Sequence, residues 1–293
     1  MSNYQITQSH LISVLQLGTI DYATGLSLQR RLVELRKDGR IGDVLLLLEH
    51  SAVITLGRNG KQKNIVASPE LLTQRGIAVF ESDRGGDVTF HGPGQLVGYP
   101  IFDLREISTP DGKRKTLGAI DYVRRLEEVL IRTCADFRIP AARICGLTGV
   151  WTNSQHLSSR AELDDSLANR PAQSRDLVFR SEAKIAAIGV HISRAVTSHG
   201  FALNVNTNLD YFNLIIPCGI TTKPVTSMAK ELEKELSLQE VAHSISRNFG
   251  VVFESQMLWL ETLDALLGQN VGVPLKPPQQ LRQLHKEEDT FQA

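Results

Sequence analysis

Two side chains and one glycine-rich string carry residue types on which chemistry could rest. Cys218 lies in Pro217-Cys218-Gly219. A proline before it and a glycine after it hold the thiol at a sharp corner rather than on a helix stripe, as an exposed nucleophile is commonly presented. A half-buried thiol in a turn fits the same three residues. Lys184 opens Ala183-Lys184-Ile185-Ala186-Ala187-Ile188-Gly189, and a lysine at a strand start is, by itself, a solvated edge residue. The string runs Arg84-Gly85-Gly86-Asp87-Val88-Thr89-Phe90-His91-Gly92-Pro93-Gly94-Gln95-Leu96-Val97-Gly98-Tyr99. Its Gly-Gly pair permits a sharp turn and a close backbone approach to a ligand, and Gly-Pro-Gly after His91 is a second strong breaker. The string reads as two strands whose corners carry Arg84, Thr89 and His91 into one concave place. A turn-rich hairpin with His91 hydrogen-bonded in a core is the plainer alternative.

Those residues need a frame. Ser13 to Leu17 reads as a short strand, and Asp21 as the cap of a helix through Tyr22, Leu26, Leu28, Leu32 and Leu35 that Asp38-Gly39 ends. Val44 to Leu48 is a continuous apolar run of a length that suits a buried strand. Ala52 to Leu56 and Ala78 to Ser82 read as strands, Pro69 to Gln74 as a short helix, and Gln95 to Ile101 as the strand partner of Val88-Thr89-Phe90. Leu117 to Phe137 is the clearest helix, with Ile120, Val123, Leu126, Leu130, Cys134 and Phe137 at three- and four-residue steps. Cys134 on that stripe reads as structural, and Cys145 receives no role. Arg143 to Thr152 reads as one strand with a central Gly146; Ile185 to Val190 and Phe201 to Asn206 are further strands. Ser237 with Glu240 forms a capping box, and Ser255 is expected to cap a last helix holding Leu258, Leu263 and Leu266.

Strands joined by short turns and interleaved irregularly with helices predict an α+β fold with a mixed or mainly antiparallel sheet. One domain is expected over 1–269, with a smaller helical C-terminal part over 226–269. The stretch 153–182 is rich in Ser, Arg, Asp and Gln and reads as an inserted polar loop. Residues 270–293 are rich in Pro, Gln and charge and read as a flexible tail.

With 42% hydrophobic and 22% charged residues, the composition is globular, and a net charge of +0 gives no basic excess for nucleic acid. No signal pattern opens the chain, and no apolar run is long enough to span a bilayer, so a cytoplasmic protein without membrane association is expected. Three cysteines without paired spacing predict free thiols, no structural zinc and no other metal.

The string from Arg84 to Gln95 is similar to that of the octanoyltransferases of lipoate biosynthesis, whose pattern is Arg-Gly-Gly-x-x-Thr-aromatic-His-Gly-Pro-Gly-Gln. The same family has a catalytic lysine in Lys-Ile-x-x-hydrophobic-Gly, matched at Lys184, and a catalytic cysteine in Pro-Cys-Gly, matched at Cys218. His199-Gly200-Phe201-Ala202-Leu203-Asn204-Val205-Asn206 matches the family's His-Gly-x-Ala-Leu-Asn-x-Asn element. The resemblance implies the fold of biotin and lipoate protein ligase catalytic domains, a mixed sheet flanked by helices. It implies transfer of an octanoyl group from octanoyl-acyl carrier protein, through a Cys218 thioester, to a lysine of a lipoyl-accepting protein, with no cofactor. The implied acceptors are the glycine cleavage H protein and the E2 component of 2-oxoacid dehydrogenases. A substrate pocket is implied at Arg84, Gly85, Gly86, Asp87, Val88, Thr89, Phe90 and His91, at Ala187, Ile188 and Gly189, and at Gly200, Phe201 and Ala202. Family members cross the 153–182 region with a tight turn, so the insertion is a departure.

The implied dyad has a plain physical logic. A thiol of unperturbed pKa about 8.5 is mostly protonated at neutral pH. A nearby ammonium favours the thiolate, and the same lysine can exchange a proton with an incoming amine. An ATP-dependent lipoate or biotin ligase on the same fold needs no such cysteine. A catalytically silent binder of carrier or lipoyl domains needs neither residue.

Overall fold

The computed structural model describes residues 10–109, 116–152, 182–217 and 223–270. The chain opens with β1 (His10–Ile20), α1 (Tyr22–Lys37), β2 (Asp43–His50), β3 (Val53–Leu56), α2 (Pro69–Gln74) and β4 (Ala78–Glu81). β5 (Val88–His91), β6 (Gln95–Ile101), α3 (Ala119–Asp136), β7 (Ala141–Ile144) and β8 (Leu147–Thr152) follow. β9 (Lys184–Ser193), β10 (Val196–Asn204), α4 (Met228–Leu232), α5 (Leu238–Phe253), β11 (Ser255–Leu260) and α6 (Leu263–Asn270) complete it. Eight strands form a mixed sheet in the order β11-β1-β2-β6-β10-β9-β8-β7, and β4-β3-β5 form a smaller second sheet.

Both faces of the large sheet are covered, and β2 shows why its sequence is an unbroken apolar run. Leu45 and Leu47 enter the core under α3 and α5, whereas Val44, Leu46 and Leu48 enter the core under α1. A third core joins the small sheet to α2 and to Phe212, Leu214 and Ile215. The caps form as their residue types predict: Asp21 accepts from Thr24 N, and Ser237 accepts from Glu240 N.

Several expectations change. β5 and β6 are not partners. β5 pairs with β3 in the small sheet, whereas β6 lies between β2 and β10 in the large one. Gly92-Pro93-Gly94 therefore carries the chain from one sheet to the other. Gly94 stands at φ +78 with Asn206 so close that a Cβ would meet its carbonyl at 2.7 Å. Arg143 to Thr152 is a hairpin, turned at Gly146 with φ +77, not one strand. Ile120 is 77% exposed, and Tyr122, Leu126, Val129, Leu130 and Cys134 form the buried stripe of α3. Ser255 begins β11 instead of a helix and lies parallel to β1 at the sheet edge. A four-residue apolar run such as Met257 to Leu260 does not by its period distinguish strand from helix, and here the open edge of β1 decided. The C-terminal part expected to be helical thus contributes a strand. The loop expected over 153–182, apart from Glu182, the tail expected over 270–293, apart from Asn270, and the nucleophile expected at Cys218 lie outside the described residues.

Candidate active site

The string Arg84 to Gln95 straddles the two sheets and is fastened at each step. Arg84, 8% exposed, donates to Thr55 O (2.8 Å), Thr55 Oγ1 (2.9 Å), Asp87 O (2.7 Å) and Gly85 O (3.0 Å). Its guanidinium closes the corner upon itself. Asp87 accepts from Lys61 N, Val88 N and Asn64 Nδ2 and so ties the corner to the loop after β3. Gly85 N donates to Val190 O at 3.0 Å, and a Cβ on Gly189 would meet Gly85 O at 2.6 Å. These two glycines let the corner lie flat on β9.

A cavity opens beside that corner. Arg84, Gly86, Asp87, Thr89 and His91 line one side, and Ala187, Ile188, Gly189, Gly200, Phe201 and Ala202 of β9 and β10 line the other. Gly200 pairs with Gly189, and Ala202 with Ala187, so the small residues face each other across the ladder. Of the residues expected here, Gly85, Val88 and Phe90 do not line the cavity. Val88 and Phe90 point to the opposite side of β5 from Thr89 and His91, as the two-residue strand period requires. There Phe90 stacks on Tyr211 at 4.6 Å in the third core.

Tyr22, Val97, Tyr99 and His199 also line the cavity without having been expected there. Tyr22 read as an apolar helix position. His199 stood in a matched element without a role; its φ of +55, uncommon for a side-chain-bearing residue, is visible only in the fold. Behind the wall, His50 Nδ1 donates to Ile20 O at 3.0 Å, so its Nε2 accepts from Tyr99 OH at 2.6 Å. His199 Nε2 pairs with Asp83 Oδ1 at 2.7 Å. Burial pushes His50 down to about 4 and His91 down to about 3. Both rings are therefore neutral at physiological pH.

The His91 tautomer follows from its neighbours. Gln95 Nε2 donates to Phe90 O (3.1 Å) and Asn204 Oδ1 (2.9 Å), which leaves Gln95 Oε1 to face His91 Nδ1 at 2.7 Å. Nδ1 must carry the proton, and Nε2 is an acceptor.

A second, adjoining cavity shares Thr89, Ala187 and Ala202 with the first and contains Lys184 and Pro217. The chain on either side of Cys218 is anchored to this spot. Ile216 N donates to Asn64 O at 2.7 Å; on the far side Lys184 N donates to Pro224 O at 2.8 Å, and Thr226 N to Lys184 O at 2.9 Å. Lys184 is 8% exposed, not the solvated edge lysine of the plainer reading. Of the other thiols, Cys134 is buried on α3 and pushed up to about 12, and Cys145 is exposed.

Residues 21–250 match the model of the lipoyl protein ligase A/B catalytic domain. The chain belongs to that family. The octanoyltransferase of Koribacter versatilis is 58% identical over 278 residues, which cover 95% of this chain and 98% of that one. The octanoyltransferase of Acidobacterium capsulatum is 53% identical over 88% of this chain and 96% of its own. Among solved structures, a bipartite lipoate protein ligase from Thermoplasma acidophilum superposes with a TM-score of 0.62 at 15% identity, covering 95% of this chain and 93% of that chain. A lipoate-protein ligase A bound with ATP superposes at 0.59 and 15%, covering 97% of each chain. The lipoyl ligase A/B fold is thus the fold of this chain, a mixed sheet flanked by helices. Among the described residues, no helix is long and apolar enough to cross a membrane.

Proposed function

We propose that this chain is an octanoyltransferase of lipoate biosynthesis, with Cys218 as nucleophile and Lys184 as its partner. The observation that carries the reading is that Lys184 and Pro217, the residue before Cys218, line one cavity that adjoins the slot walled by Ala187 and Ala202. The donor is octanoyl-acyl carrier protein. The acceptor is a lysine of a lipoyl domain, such as that of the glycine cleavage H protein or of a 2-oxoacid dehydrogenase E2 component.

In the first step the Cys218 thiolate attacks the donor thioester. The new carbon–sulfur bond forms as the carrier thiolate leaves and takes a proton from the Lys184 ammonium, which becomes the neutral amine that serves as base in the next step. In the second, the acceptor amine attacks acyl-Cys218, loses its proton to the base at Lys184, and leaves as an amide while the thiolate is restored. The first exchange is nearly isoenergetic and the second is downhill, so the two displacements predict ping-pong kinetics. The Lys184 ammonium favours thiolate over thiol before either substrate arrives. The apolar chain lies between the small residues of β9 and β10 and the β5 wall.

The test is intact-mass analysis after incubation with octanoyl-acyl carrier protein in the absence of ATP. One octanoyl adduct, mapped to Cys218 and passed on to an added lipoyl domain, is expected. Cys218→Ser loses it, whereas Cys134→Ser and Cys145→Ser keep it. An adduct that persists in Cys218→Ser, or transfer that requires ATP as in an adenylating ligase, overturns the reading.

A further inference from the structure

The ladder between β8 and β9 carries an irregularity beside Lys184. Val150 pairs with Ala186, so a regular antiparallel register would set Trp151 opposite Ile185. Instead the register shifts and Trp151 pairs with Lys184. A bulge of this kind re-aims a side chain, and the result here is an ammonium on an aromatic face. Lys184 Nζ lies 4.9 Å from the centroid of the Trp151 ring. Trp151 is 1% exposed, so the contact is shielded from water. Its Nε1 has no hydrogen-bond partner among the described residues, which leaves the ring as the part of this side chain that makes a specific polar contact.

The lysine stem is held as well. Gly149, at φ +118, lies so close that a Cβ there would meet Lys184 Cε at 2.9 Å and Ala186 O at 2.7 Å. Gly149 N donates to Glu127 Oε1 at 3.1 Å; that buried carboxylate of α3 is paired with Arg124 and Arg143. Other charged groups around this spot are Lys223, whose Nζ is 5.9 Å from the same ring and is paired with Glu182, and Glu231, which accepts from Thr226 Oγ1.

We propose that Trp151 is a positioning residue whose ring face holds the Lys184 ammonium in the cavity that Pro217 lines. This rests on the reading of Lys184 and Cys218 as a dyad. A cation on an indole face is held within a narrow range of positions. An ammonium that loses this ring face samples a wider range of positions, and in the dyad reading it then stabilises thiolate less. The ring therefore acts on the thiol through the lysine and touches neither substrate.

The test reads the pH profile of Cys218 alkylation by iodoacetamide, mapped by mass spectrometry. Trp151→Leu is expected to lower the rate near pH 7 about fivefold while reaching the parental plateau at high pH, and Trp151→Phe to lose about twofold or less, because a weaker ring face remains. A shape-neutral version avoids any folding defect. In a Trp259→Phe background, which leaves Trp151 as the sole tryptophan, incorporation of mono-, di- and tetrafluorotryptophan drains the ring of electron density without changing its shape. The alkylation midpoint should rise stepwise with fluorine count. A midpoint independent of fluorination overturns the proposal. Lys184→Ala in the same assay separates the layers. If it raises the midpoint and the fluorine series does not, Trp151 alone is wrongly assigned. If Lys184→Ala leaves the profile unchanged, the dyad itself fails.

Discussion

His50 and His91 sit behind and in the cavity wall with folded-state values of about 4 and about 3, both from burial. An unfolded histidine titrates near 6.5. As pH falls below about 6.5 the unfolded chain therefore gains protons that the folded chain refuses, and stability is lost until the folded values are reached. Each such histidine gives a slope of about 1.4 kcal/mol per pH unit in that window. His199, lowered by burial, acts in the same sense. His10 is raised by its hydrogen bond to Asp43 and acts in the opposite one: its contribution is full below about 6.5 and is lost as pH rises through its folded value. Urea unfolding between about pH 7 and pH 5 should show a net loss of stability on acidification, and His50→Gln should remove about one histidine's share of the slope. An unchanged slope in His50→Gln would mean that His50 charges in the folded protein. At this scale the Arg84–Gln95 pattern was legible as chemistry, but the proton on His91 Nδ1 was not. It depends on Gln95, whose amide is oriented by Asn204 from 109 residues away.

The β8–β9 connection shows how an element can be complete without its loop. Thr152 N donates to Ala183 O at 2.8 Å, and Ala183 N to Thr152 Oγ1 at 3.3 Å. The two ends of the intervening segment are thus tied to each other, and the entropy of joining two fixed ends grows only slowly with the number of residues between them. Replacing 154–180 with a short Gly-Ser linker should leave the melting temperature within a few degrees of the parent. A larger loss would mean that the segment packs on the body of the fold. Loss of transfer without loss of stability would assign it a part in docking a partner. The polar composition of this stretch was readable at once. The tie between its ends was not, because it belongs to a ladder formed with residues on either side. The same limit applies to β11: its apolar run was visible, and only the open edge of β1 made it a strand.

The cavity exists only where two sheets meet. β5 of the small sheet supplies Thr89 and His91, β9 and β10 of the large sheet supply the opposite wall, and Tyr22 of α1 lines the cavity stacked on His91 at 6.4 Å. Phe90, between Thr89 and His91, faces the third core. Phe90→Ala should cost about 3–5 kcal/mol, measured by chemical denaturation, and lower transfer even where the protein remains folded, because the strand carrying Thr89 and His91 loses its backing. Full activity in a destabilised Phe90→Ala would show that the small sheet does not set the cavity wall. By itself the sequence determined the local facts: which runs bury, where Asp21 and Ser237 cap, where glycine must turn the chain, and which residue strings belong to the family. Those depend on neighbours a few positions away. The tertiary structure alone decided that Gly92-Pro93-Gly94 crosses between sheets, that a bulge sets Trp151 against Lys184, and that Tyr22, Tyr99 and His199 line one cavity with Ala187 and Gly200. Such pairings join residues tens to more than a hundred positions apart, and no local pattern encodes which long-range partner the folded chain will bring.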